Sequence, residues 1–160
     1  MIAAIVLPII VSYSDIFYTP ETVAALVGAA CTIALAYDVT WSDLWKQRFD
    51  DPLSDAESFK LNAASCLTEI GRKHVSYDDI EGQYMGVLKI TPQAWDEISA
   101  TVRSLKPERR DKLDMTGLLS LLIARGIPIL AVPRCGIWGE CDTETDLHIY
   151  RRWLDEGRLV

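Results

Sequence analysis

At 160 residues, 49% hydrophobic and 24% charged, the chain has the size and composition of one globular domain and falls outside the disordered class. Its 23 acidic and 16 basic residues leave a net charge of -7, and the basic pairs Arg109-Arg110 and Arg151-Arg152 sit among acids, so no basic stripe for nucleic acid is present. Cys31, Cys66, Cys135 and Cys141 lack C-x-x-C spacing, which argues against a zinc ribbon, a redox motif or a disulfide framework and for reduced thiols in a cytoplasmic setting.

Residues 1–14 carry no charge and are interrupted by Pro8. They lack the positive region of a secretory signal and are too short to span a bilayer, so no membrane partner is expected. Ile9-Ile10-Val11 reads as a buried strand, expected to be central in a parallel sheet, that turns polar at Ser12-Tyr13-Ser14-Asp15. Thr19-Pro20-Glu21 starts a helix that runs to about residue 30. Residues 32–37 form the next strand, ending at Asp38, and 41–49 a helix. Runs at 57–61 and 66–70 flank Asn62 to Ser65 as a hairpin. Residues 82–90 form a strand in which Gly82 and Gly86 are expected to let neighbours approach closely. Thr91-Pro92 starts a helix with Trp95, Ile98, Val102 and Leu105 on one face, and Asp114 starts another that ends at Gly126. A strand at 127–132 and a last helix, capped by Thr143 and ending near Gly157, complete the chain. Strands alternating with helices predict an α/β fold.

Two stretches carry chemistry. Asp15 lies just past the carboxyl end of a strand, where open α/β sheets place their ligand crevice; a role confined to capping a turn fits that position too. In the segment Ile137 to Thr143, an extended backbone puts Trp138, Glu140 and Asp142 on one face. Two such carboxylates repel unless a positive charge sits between them, and Mg²⁺, which prefers hard oxygen ligands, suits that place. The alternative is that Asp142 caps the following helix and Glu140 is solvated.

Residues 11–18 (VSYSDIFY), 51–60 (DPLSDAESFK), 81–92 (EGQYMGVLKITP), 113–116 (LDMT) and 138–143 (WGECDT), taken in order, resemble the sugar nucleotidyltransferase-like superfamily. The resemblance is greatest to the phosphocholine cytidylyltransferase type and covers nearly the whole chain. It implies a three-layer, Rossmann-like α/β nucleotidyltransferase fold. It assigns Asp15, Glu140 and Asp142 to Mg²⁺, with Asp15 and Asp142 catalytic. Lys73 is implied at the acceptor phosphate, and Tyr84 and Trp138 beside the acceptor. Trp41, Trp45, Tyr84 and Trp138 would either cage a quaternary ammonium or pack in the core. Lys73, His74 and Lys89 would either meet an anion or stay exposed.

The implied reaction moves a nucleotidyl group from a nucleoside triphosphate, CTP by resemblance, to a phosphorylated acceptor such as phosphocholine, a phosphonate or a sugar phosphate, releasing pyrophosphate. One departure stands out. Such enzymes open on a strand and a Gly-rich loop that cradles the triphosphate, and no glycine cluster of that kind occurs here. The resemblance therefore implies an N-terminally truncated, single partial domain over 1–160, with Met1 internal to a longer frame. It also implies little turnover by this chain alone and an apolar sheet edge beside Ile9-Ile10-Val11 open to self-association. A non-catalytic binding or assembly module and a metal-dependent glycosyltransferase are the competing readings.

Overall fold

The structure, a computed structural model, describes residues 7–159. In chain order the elements are β1 (Ile9–Ser12), β2 (Ile16–Tyr18), α1 (Pro20–Gly28), β3 (Ile33–Asp38), α2 (Trp41–Arg48), β4 (Phe59–Leu61) and β5 (Leu67–Ile70). They continue as β6 (Gln83–Ile90), α3 (Pro92–Arg103), α4 (Pro107–Arg110), α5 (Met115–Ala124), β7 (Leu130–Arg134), β8 (Trp138–Glu140) and α6 (Glu144–Asp155).

The composition of β3 explains the layering. Ile33, Leu35 and Tyr37 point to one side, Ala34 and Ala36 to the other, and all five are buried. A strand buried on both faces has to lie inside a sheet covered on both sides. The first side packs on α3, α5 and the β4–β5 hairpin through Ile98, Leu119, Leu122 and Phe59. The second packs on α1, α2 and α6 through Leu26, Leu44, Trp45, Ile149 and Trp153. The result is an α/β arrangement, as expected from the alternation of elements, in the three layers that the resemblance implies.

The main sheet has the order β1-β6-β3-β7. β6 runs antiparallel to both β1 and β3, whereas β7 is parallel to β3. This corrects the place expected for the first strand. Among the described residues β1 is an edge strand, half-buried and paired antiparallel with β6, and the centre is β6–β3. An apolar run records burial but not the number of neighbouring strands, so the sequence pattern could not separate centre from edge.

The close approaches expected at glycines are present. A Cβ on Gly82 would lie 2.3 Å from the Tyr37 ring, and one on Gly86 2.8 Å from the Tyr13 ring. Gly86 also has φ +75°, which a side chain disfavours. β2 and the short α4 were not foreseen. β2 pairs antiparallel with β8, setting Ile16 opposite Glu140. Among the described residues, no helix is long and apolar enough to cross a membrane.

Candidate active site

The site is built on two helices whose buried stripes each include one charged residue. In α2 the stripe is Trp41, Leu44, Trp45 and Arg48; in α6 it is Asp146, Ile149, Tyr150 and Trp153. Both follow the i, i+3, i+4, i+7 spacing of one helix face. A charge on such a face must be paired, because burying it alone costs many kcal/mol. Here the two are paired with each other: Arg48 Nε donates to Asp146 Oδ1 at 2.7 Å, with side chains 1% and 2% exposed.

Arg48 reaches further. Its Nη1 donates to Glu140 Oε2 at 3.2 Å and its Nη2 to Asp142 Oδ2 at 2.9 Å. Its guanidinium carbon lies 5.0 Å from the centroid of the Trp45 ring and 5.1 Å from that of Phe49. The planar fork of arginine suits such bridging, which a lysine cannot reproduce. Asp146 accepts from the Asp142 amide at 3.1 Å, the Thr143 amide at 2.9 Å and the Thr143 hydroxyl at 3.0 Å. Thr143 in turn caps α6 in a capping box. Asp142 is therefore not the helix cap; its carboxylate is turned to Arg48.

The charges shape one another. Burial pushes the Glu140 carboxyl above its ordinary range, and neighbouring Asp142 adds to the shift against the opposing pull of Arg48. For Asp146 burial also pushes upward, but the hydrogen bonds from Arg48 and Thr143 outweigh it and hold the carboxyl below its ordinary range. Arg48 is thus the positive charge that the spacing of Glu140 and Asp142 demanded.

These carboxylates open onto a cleft of about 250 Å³ lined by Tyr13, Asp55, Glu57, Lys73, Tyr84, Asp114, Trp138, Glu140 and Asp142, among others. Lys73, Tyr84, Trp138, Glu140 and Asp142, singled out in the sequence, thus share one cavity. Lys73 Nζ pairs with Glu57 Oε1 at 2.8 Å. Tyr84 meets Tyr13 edge to face at 5.9 Å, and its buried hydroxyl has no protein partner among the described residues. Trp138 donates from Nε1 to Asp38 Oδ2 at 2.8 Å. Trp41 and Trp45 do not line the cleft; they pack in the core. Lys89 is neither exposed nor turned to the cleft: it is buried and donates to the Ala29 carbonyl.

Asp15 is placed by the β2–β8 ribbon next to the Glu140–Asp142 segment. It is exposed, does not line the cleft, and is tied in by its backbone carbonyl, which accepts from the Cys141 amide at 2.9 Å. Among the described residues no three His, Cys, Asp or Glu side chains are grouped to hold a metal. The β2–β8 ribbon brings the two chemical stretches side by side at the backbone, so Asp15 adds negative potential at Glu140.

The donor set nonetheless fits a hydrated Mg²⁺. Arg48 engages only Oε2 of Glu140 and Oδ2 of Asp142. The other carboxylate oxygen of each has no protein partner among the described residues, and Mg²⁺ commonly takes one or two carboxylates while keeping waters and phosphate oxygens. Arg48 and Asp146 were not singled out in the sequence, although a charge at one end of an apolar stripe, last in α2 and first in α6, is a readable signal.

The arrangement of sheet and layers matches the fold of solved nucleotidyltransferases. The chain superposes over 96% of its length, with TM-score 0.66 and 14% identity, on 56% of a Bacillus anthracis protein assigned as a glucose-1-phosphate thymidylyltransferase. It superposes over 97%, with TM-score 0.62 and 19% identity, on 59% of the inositol-1-phosphate CTP transferase of T. maritima. At such identities the likeness is one of fold. In sequence it is similar to the CTP:phosphoglutamine cytidylyltransferase of Campylobacter jejuni, 34% identical over an alignment of 147 residues that covers 88% of this chain and 58% of that relative. The chain therefore spans a little over half the length of that relative. No family model matches it. The chain has the sugar nucleotidyltransferase-like fold and a cytidylyltransferase among its relatives.

Proposed function

We propose that the chain contributes the acceptor and cation side of a nucleotidyltransferase that moves a nucleotidyl group, from CTP by similarity, onto a phosphorylated small molecule and releases pyrophosphate. The observation that supports this reading is the single cleft in which Lys73 faces a set of carboxylates that includes Glu140 and Asp142. An acceptor phosphate oxygen is already anionic and needs no side-chain base, so the work falls to positioning and charge neutralisation. Lys73 meets the acceptor phosphate, exchanging its bond to Glu57 for one to the ligand. Glu140 and Asp142 would hold Mg²⁺, with Asp15 adding negative potential beside them. Bound there, Mg²⁺ would neutralise charge on the transferring phosphoryl oxygens. Tyr84 and Trp138 form buried walls that keep the acceptor in register.

Acceptors to be compared are phosphocholine, a phosphonate, glucose 1-phosphate and the phosphoglutamine named for the Campylobacter relative. The test is pyrophosphate release from CTP with each acceptor and Mg²⁺, alongside calorimetric binding of the acceptor alone. The reading expects Mg²⁺-dependent acceptor binding that weakens in K73M and D142N. Binding indifferent to both substitutions would overturn it. A module that binds without turnover is the second reading. It is favoured by the pairing of Arg48 with the carboxylates, and it predicts acceptor binding with no pyrophosphate from any pairing.

A further inference from the structure

We propose that Arg48 is a positioning residue that fixes Glu140 and Asp142 for the divalent cation, with Tyr150 as its partner on the backbone side. The inference rests on the cation role just proposed for those two carboxylates and goes beyond it by naming what aims them.

The geometry carries the argument. Arg48 is buried at the end of α2, and its fork spends Nη1 on Glu140 and Nη2 on Asp142, one oxygen of each. Fixing that oxygen fixes where the remaining one points. The fork is itself immobilised by Asp146 on Nε and by the Trp45 and Phe49 rings. The main chain of Glu140 is held from the other side: the Tyr150 hydroxyl accepts from the Glu140 amide at 3.1 Å and donates to the Glu140 carbonyl at 2.8 Å. The main chain of Asp142 is held by Asp146. Both carboxylates are thereby restrained at backbone and side chain, the side-chain restraints coming from Arg48 of α2 and the backbone ones from Tyr150 and Asp146 of α6 together with the β2–β8 ribbon. Groups that orient metal ligands in this way commonly change metal affinity or activity 10- to 100-fold when removed. Arg48 does not face the cleft, so its effect runs through the carboxylates it holds.

The substitution that isolates this role is R48K. It keeps the positive charge, so long-range repulsion of the cation is unchanged, but a single ammonium cannot bridge carboxylates in a fixed fork. The probe is Mn²⁺ titrated into the full chain at constant pH, with the free ion read by electron paramagnetic resonance. R48K is expected to weaken Mn²⁺ binding about 10-fold or more, while its circular dichroism matches the parent. Y150F, which alters no charge, is expected to weaken it severalfold, and K46M, on the exposed side of α2, to leave it unchanged. If R48K fails to fold, Y150F decides the matter. Parent-like Mn²⁺ affinity in a folded R48K, or in Y150F where R48K does not fold, overturns the positioning role. A parent chain whose Mn²⁺ binding is absent, or is unaffected by D142N, overturns the cation reading itself and the positioning role with it.

Discussion

Two cation–carboxylate pairs, one behind the Glu140–Asp142 wall of the cleft and one on the opposite wall, have almost the same length, yet they differ in kind. Arg48 meets Asp146 at 2.7 Å with side chains 1% and 2% exposed. Lys73 meets Glu57 at 2.8 Å with side chains 58% and 22% exposed. Distance does not separate them; water does. An exposed pair is screened and contributes little, so Lys73 can leave Glu57 for a ligand at small cost. The buried guanidinium cannot leave, because Asp146 would then be stranded in low dielectric. One wall is built to stay and the other to exchange, as a site needs when one side aims a cation and the other receives a substrate.

The largest expected effect tests the fixed wall. R48M strands Asp146 and leaves Glu140 and Asp142 repelling each other, and breaking such a buried pair costs about 3–5 kcal/mol. Urea unfolding should show it as a lower midpoint at unchanged slope. A cost below about 1 kcal/mol would mean that the wall is not held by its charges.

G139A comes next and strikes the same wall without touching a charge. A Cβ there would lie 2.5 Å from the Tyr150 hydroxyl and 2.7 Å from the Phe17 ring. Overpacking of this kind costs about 1–3 kcal/mol. Thermal unfolding is the check, and a parent-like midpoint would show that the β2–β8 ribbon yields freely.

Acid sharpens the contrast further. The folded-state pKa of Asp146 is depressed, so its contribution is present above the ordinary aspartate pKa and is lost as pH falls through the folded value. The melting temperature of the parent should therefore fall more steeply below about pH 4 than that of D146N. Parallel curves would remove Asp146 from the account.

The smallest effect belongs to the exchangeable wall. K73M should change stability by less than about 1 kcal/mol and still weaken acceptor binding. A large loss of stability would make Lys73 a structural residue.

Much of this was legible in the sequence, for identifiable reasons. Helix starts carry their own chemistry, and Thr91, Asp114 and Thr143 cap as expected. The hairpin around Asn62 and the strand that ends at Asp38 depend on local pattern alone. The place of β1 was not legible, because pairing partners distant in sequence decide it. Neither was the tie of the Asp15 carbonyl to the Cys141 amide, which depends on which backbone atoms the β2–β8 ribbon brings together. The repulsion between Glu140 and Asp142 correctly called for a positive charge, but the sequence did not say that Arg48, 92 and 94 residues away, would supply it. Its position on an apolar stripe was the available clue.

The account stands or falls on whether this cleft takes a phosphorylated acceptor in a metal-dependent way. Calorimetry of a phosphorylated acceptor with the 160-residue chain, in Mg²⁺ and then in EDTA, for the parent and for D142N, asks this directly. The account predicts binding for the parent in Mg²⁺ that is lost in EDTA and sharply weakened in D142N. Binding of equal strength in all four conditions would contradict it.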